Sequence, residues 1–268
     1  MEGHRRRPPR THLHAVALTS VADSLVVTTG QLIVVGLAVA VAAFVQVIAG
    51  FGFGLLAMPI MTLAIPVEKA VVVSTLLSAI TTSWQSWFMR KDADPALVKR
   101  LTISAYLGMP LGIAVLELAA DGTLKIALGV AVLVATLMLA ARLDLRHAGP
   151  GVDMAAGFIS GVLSTSLSTN GPPLVFDLQA RHLEAARFRA TISAVFALCN
   201  VGAIALFAFR GKLTQGGLHA ALVALPAWAL GQLVGWPIRK HMHGQRFRVL
   251  VLALLGLAGA TSIVFAVV

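Results

Sequence analysis

A chain of 268 residues, 58% hydrophobic and only 12% charged, cannot clothe a soluble globule in a solvated shell. Its mean hydropathy is +0.88, and its 21 basic residues, against 11 acidic, sit in short runs between apolar stretches. These quantities exclude a soluble enzyme, a disordered chain and a nucleic-acid binder, and they indicate a polytopic, all-α membrane protein.

The tail Met1–Thr11 is basic and holds Pro8-Pro9. Residues 15–29 are mildly apolar, so residues 1–30 read as a basic tail with an amphipathic helix on the membrane surface. A span across ~30 Å of hydrocarbon needs about 20 apolar residues. Residues 31–49 form the first such stretch, and 53–65 are apolar but short. Full spans follow at 70–89, 101–118 and 124–141. After the link 144–150 come 154–168 and a short piece at 172–180, then full spans at 190–209, 218–238 and 247–268.

This order doubles. Residues 31–143 and 151–268 form two related halves, each opening with a broken or re-entrant helix followed by three spans. Gly54 and Gly171 mark the two breaks, and Gly108 and Gly112 in one half match Gly231 and Gly235 in the other. The small-xxx-small spacing lets helix backbones approach closely in lipid. Such glycines serve a homodimer interface or packing within one subunit. The loop 90–100 is basic and 117–122 acidic, whereas 210–217 is weakly charged and 239–248 strongly basic. The positive-inside bias then orients the two halves oppositely, as in inverted-repeat transporters.

The first break reads Gly50-Phe51-Gly52-Phe53-Gly54, with Pro59 a turn later. Each glycine costs a helix about 1 kcal/mol relative to alanine, and irregular backbone survives at membrane depth only when buried in protein or lining a cavity. The second break, Ser166-Leu167-Ser168-Thr169-Asn170-Gly171-Pro172-Pro173, puts hydroxyls and a carboxamide where hydrocarbon is expected. Pro172 and Pro173 suit the first turn of a new helix, with Thr169 or Asn170 placed to cap it. Two helix N-termini meeting near the midplane aim N–H groups and positive dipole ends into one space, which makes an anion site from backbone. The expected substrate-binding set is Gly50, Gly52, Phe53, Gly54, Ser168, Thr169, Asn170 and Gly171. Gln46, one turn before the first break, and Asn200, deep in an apolar helix, join it.

These two motifs and the repeat layout, over about residues 31–268, resemble the sulfite exporter TauE/SafE family of bacterial membrane permeases. The resemblance rests on Gly50-Phe51-Gly52-Phe53-Gly54 through Pro59, and on Gly161-Val162-Leu163-Ser164 through Ser168-Thr169-Asn170-Gly171-Pro172-Pro173. It implies a multi-pass protein of the bacterial inner membrane that moves sulfite or small sulfur-containing organic anions, usually outward. Ser168-Thr169-Asn170 departs from the richer glycine cluster common at that place in the family, which bears on the anion preferred.

Among titratable residues, Asp177 in the short second half-helix and Glu117 at a helix end are the acids the spans hold. Asp177 is a candidate for proton coupling, or pairs with Arg181 one turn on. Arg187 and Arg189 read as headgroup anchors, and Trp84 and Trp87 as an interface belt in contact with membrane lipids. Ser74, Thr75 and Ser78 are expected to bond back to their own helix. Cys199 reads as a small buried hydrophobe, and His241 with His243 is too few ligands for a metal site. No cofactor, metal or nucleotide motif is expected. The leading reading is thus a secondary transporter of a small anion. An anion channel is the alternative, and a serine hydrolase built on Ser160, Ser164, Ser166 or Ser168 lacks a histidine within any span, His182 being the nearest.

Overall fold

A computed structural model describes residues 29–49, 51–141, 149–181 and 183–238. The N-terminal tail, Gly50, His182, His241, His243 and the expected last span 247–268 lie outside the described residues. Those residues form nine helices and no strand: α1 Thr29–Ala49, α2 Phe53–Met61, α3 Val67–Met89, α4 Pro95–Leu118, α5 Asp121–Ala141, α6 Pro150–Leu167, α7 Gly171–Ala180, α8 Ala185–Phe209 and α9 Gln215–Ile238. Thr29–Ile48, Pro95–Leu118, Ala186–Phe209 and Gln215–Ile238 are long and apolar enough to cross a membrane. The chain is a multi-pass membrane protein. Helix α3, expected to be an ordinary apolar span, is not in that group. A row of hydroxyls from Ser74 to Thr82 lowers its hydropathy, and that row faces protein.

Helix starts follow local chemistry. Asp94 caps α4, accepting from the N–H groups of Ala96 at 3.0 Å and Leu97 at 3.1 Å, with Pro95 at the first helical position. Burial pushes the Asp94 carboxyl up, but those N–H bonds and the Arg187 guanidinium at 2.6 Å outweigh it and hold it below its usual value. Arg187, expected as a headgroup anchor, is therefore an ion-pair partner across the loop. Asp121 opens α5 and accepts from Val67 N–H at 2.8 Å, which joins the starts of α5 and α3.

The two broken elements are hairpins. Helix α2 folds back along α1, so that Gln31 Nε2 donates to Ala64 O at 2.8 Å. Helix α7 folds back along α6, and Arg181 just beyond it binds Asp153 in the first turn of α6. Helix α4 runs from Arg100, paired with Asp153 at 3.0 Å, to Leu118, beside the Asp121 end of the bundle. The open ends of the two hairpins therefore lie at opposite ends of the bundle.

Glycines set how the hairpins are held. On α4, Gly108 lies against Phe158 O and Gly112 against Val162 O of α6, while Gly161 of α6 lies against Ala105 O of α4. On α9, Gly231 lies against Ala40 O and Gly235 against Val47 of α1. Thus Gly108 and Gly112 pack against the hairpin of α6 and α7, and Gly231 and Gly235 against that of α1 and α2, both within the chain. The exterior is apolar, with Leu107, Leu137, Leu230 and Leu233 exposed, while Gln46, Ser74, Thr75 and Ser164 are buried. Trp84 and Trp87 are exposed near one end, and the Arg90 guanidinium stacks 4.3 Å over the Trp87 ring.

Candidate anion site

The hairpin tips meet at the two breaks. Helix α6 ends in Ser168, whose φ of 52° is left-handed, and α2 begins after Gly52 at φ 95°. Glycine takes that conformation freely, whereas serine does so at a cost. Side-chain bonding accounts for a serine there. Ser168 Oγ donates to Ser74 Oγ at 3.0 Å and lies 3.2 Å from Thr75 Oγ1, which pins the second break to α3. The α3 hydroxyls therefore bond across the molecule rather than back to their own helix. Only further along does the expected pattern hold, where Thr82 Oγ1 donates to Ser78 O at 2.9 Å.

The tips leave a cavity of about 20 Å³ between them, room for about one water molecule. Gln46, Gly52, Phe53 and Gly54 line it from the first break, and Ser168, Thr169, Asn170 and Gly171 from the second. Asn200 reaches it from α8. Every described member of the expected set is thereby brought together; Gly50 lies outside the described residues. Leu55, Ser78 and Phe196 complete the wall and were not expected. Among the described residues no ionisable side chain lines it.

Polar atoms at the cavity are conspicuously unused. Gln46 Oε1, Thr169 Oγ1 and Asn170 Nδ2 are buried without a hydrogen-bond partner, and such atoms are costly unless something binds them. Thr169 Oγ1 accordingly makes no cap bond. The Asn170 backbone carbonyl is taken, accepting from Ser160 Oγ at 2.8 Å. Asn200 Nδ2 donates to Thr82 Oγ1 at 3.2 Å and Ser78 Oγ at 3.3 Å, which orients its amide along the α3 hydroxyl row. In α2 the first in-helix bond is Leu56 N–H to Gly52 O at 3.2 Å, so the N–H groups of Phe53, Gly54 and Leu55 have no acceptor within the helix. In α7, Pro172 and Pro173 carry no N–H, and the side chains of Thr169 and Asn170 supply donors instead.

Three of the four serines considered as nucleophiles are committed elsewhere: Ser160 to Asn170 O, Ser166 to Val162 O and Ser168 to Ser74. Among the described residues no three metal-ligating side chains cluster. A larger cleft of about 700 Å³ between α3 and α9, walled by Trp84, Trp87, Trp228 and Trp236, is almost wholly apolar.

Asp177 pairs with Arg181 at 3.4 Å, but not alone. Asp153, which sequence reasoning passed over, is fully buried beside it and binds both Arg181 and Arg100.

Comparison with known proteins gives two matches. The family described as sulfite exporter TauE/SafE matches residues 35–262. A protein of Cupriavidus necator named probable sulfite/organosulfonate exporter TauE is 23% identical over 200 residues, covering 72% of this chain and 78% of that protein. No solved structure matches.

Proposed function

The chain belongs to the sulfite exporter TauE/SafE family, and from that membership we propose that it is a secondary transporter, an exporter of sulfite or a small organosulfonate in the bacterial inner membrane. The anion binds between the two hairpin tips. The observation that carries this reading is the set of buried, unpartnered polar atoms at the tips, on Gln46, Thr169 and Asn170. Thr169 and Asn170 offer donors directly, and a rotation of the Gln46 amide turns its NH₂ into the cavity. The free N–H groups of the α2 N-terminus add a fixed positive dipole. A wall without carboxylates favours an anion over a cation. The C. necator protein's name, a sulfite/organosulfonate exporter, supports the substrate class.

The hairpins are two re-entrant elements of inverted repeats, related across the membrane, with substrate at their meeting point. The placing of their open ends at opposite ends of the bundle and the reciprocal glycine clasps support this. A cavity of about 20 Å³ is smaller than a sulfur oxyanion, so binding widens it, and alternating access moves one hairpin with its clasping helix against the other. That closure favours a carrier over an open pore.

Flux into proteoliposomes of sulfite, thiosulfate, sulfate, methanesulfonate and a short carboxylate tests the reading. Saturable flux of a sulfur oxyanion with counterflow is expected. Asn170→Ala removes one donor and should change the ranking of anions by about ten-fold, the effect of one lost charge-assisted bond. Unsaturable flux would make the protein a channel, and no flux of any of these anions would reject the substrate class.

A further inference from the structure

At the far end of the second hairpin lies a buried ionic cluster that anion binding does not use. Asp153 and Asp177 are both fully buried. Arg181 reaches both, by a bond to Asp153 Oδ1 and by its Nε, 3.4 Å from Asp177 Oδ1. Arg100 takes the second oxygen of Asp153 at 3.0 Å. Asp153 thus has two guanidinium groups as ion-pair partners, and Asp177 one. Asp177 Oδ2 and Asp153 Oδ2 are both buried without a hydrogen-bond partner, and the two carboxyl groups converge on the one Arg181 guanidinium. Two carboxylates brought together in this way hydrogen-bond to each other only when one of them carries a proton.

We propose that Asp177 is the transporter's proton site, and that proton and anion binding reinforce each other along α7; this rests on the anion site proposed above. The step is a proton transfer from hydronium at the adjacent end of the bundle. One hydronium O–H bond breaks and leaves water, an O–H bond forms at Asp177 Oδ2, the carboxylate becomes a neutral acid, and Asp153 Oδ2 accepts the new hydrogen bond. Arg100 and Arg181 are 39% and 19% exposed, so the cluster reaches the surface of the bundle at that end.

Among the described residues, the other charges around α7 do not compete for this role. From α6, Asp153 faces Asp177, with Arg100 of α4 behind it. From α5, Asp121 and Lys125 pair with each other at 3.1 Å at the opposite end. On α8, Arg187 is paired with Asp94. The pair Asp153–Asp177 with Arg181 is what acts on the site.

Coupling follows from the shortness of α7. Gly171 lines the anion cavity and Asp177 lies six residues further, about 9 Å along the helix axis. Neutralising Asp177 removes one negative charge at that distance, which raises affinity for an anion on the order of ten-fold in a partly buried setting. By reciprocity, anion binding draws a proton from solution.

The test uses the full-length purified chain in weak buffer with a pH dye, and calorimetry in parallel. The probes are sulfate and methanesulfonate, neither of which titrates near neutral pH. Wild type is expected to take up protons when either anion binds, with affinity rising about ten-fold toward acid pH. Asp177→Asn is expected to bind the anion with a pH-independent affinity and no proton uptake. Asp177→Glu, with a displaced carboxyl, should keep uptake but move its pH midpoint; it decides the matter if the asparagine variant does not fold. Anion binding without proton uptake in wild type, uptake that persists in Asp177→Asn, or an unmoved midpoint in Asp177→Glu overturns the proton site and leaves the anion site standing. Failure of wild type to bind both probes overturns the anion site and this proposal with it.

Discussion

Replacing Gly54 with alanine is expected to cut anion flux on the order of a hundred-fold, although it adds one carbon atom. A Cβ at that position would stand 1.8 Å from Ser168 O and 2.9 Å from Ser168 C, where real Cβ contacts do not fall below 3.0 Å. Both obstructing atoms are backbone, so no side chain can swing aside. The tips must separate by more than an ångström, and that pulls Ser168 from Ser74 and Thr75 and displaces Thr169 and Asn170. Ser168 already holds a left-handed backbone conformation, so those hydroxyl bonds are what keep the break in shape. Gly36→Ala is the control. Among the described residues its Cβ would meet only Ala227 Cβ at 3.8 Å, and its flux should match wild type. Equal flux in Gly54→Ala and wild type would show that the tips do not touch in the working protein.

Arg181→Ala carries the second large effect, on folding rather than on binding. Removing that guanidinium leaves Asp177 without its cation and Asp153 with Arg100 alone, in a place where neither carboxylate reaches water. Breaking a buried ion pair from one side costs about 3–5 kcal/mol, a large part of the ~5–15 kcal/mol that holds a typical fold. The variant should accumulate poorly, and its melting temperature in detergent should fall well below wild type. Adding Asp177→Asn removes one of the stranded charges and should recover part of the loss. A single variant as stable as wild type would mean that the cluster is solvated and contributes little.

How far the sequence foretold this arrangement depends on the kind of signal. The four spans near 31–49, 101–118, 190–209 and 218–238 were legible because lipid demands long apolar runs whatever their neighbours. The breaks were legible because Gly52, Gly54, Gly171, Pro172 and Pro173 cannot serve an uninterrupted helix in hydrocarbon. Gln46 and Asn200 stood out as carboxamides among apolar residues. Asp153 escaped because an acid in the first turn of a helix after a link reads as a solvated dipole partner. Nothing local tells that Arg100 and Arg181 converge on it. Ser74 and Thr75 were misassigned for the same reason, since their partner Ser168 is 94 and 93 residues away. A signal did exist: Ser74, Ser78 and Thr82 recur every four residues, a polar stripe on one face of α3 that points to a polar neighbour rather than to lipid. Leu55 and Phe196 had none, because an apolar wall residue has the same chemistry as any core residue.

Accessibility of the cavity with and without substrate tests the central claim most directly. Gly171→Cys puts a thiol on the cavity wall, where among the described residues its Cβ meets only Phe196 and Leu55 at ordinary contact distance. The sole native cysteine, Cys199, is fully buried. The measurement is the rate of labelling by a small charged thiol reagent in proteoliposomes, with and without the transported anion at a concentration that saturates flux. Occupancy of the space between the tips predicts labelling slowed by about ten-fold or more at that concentration. A rate that the saturating anion leaves unchanged would place the anion elsewhere in the molecule and contradict the account.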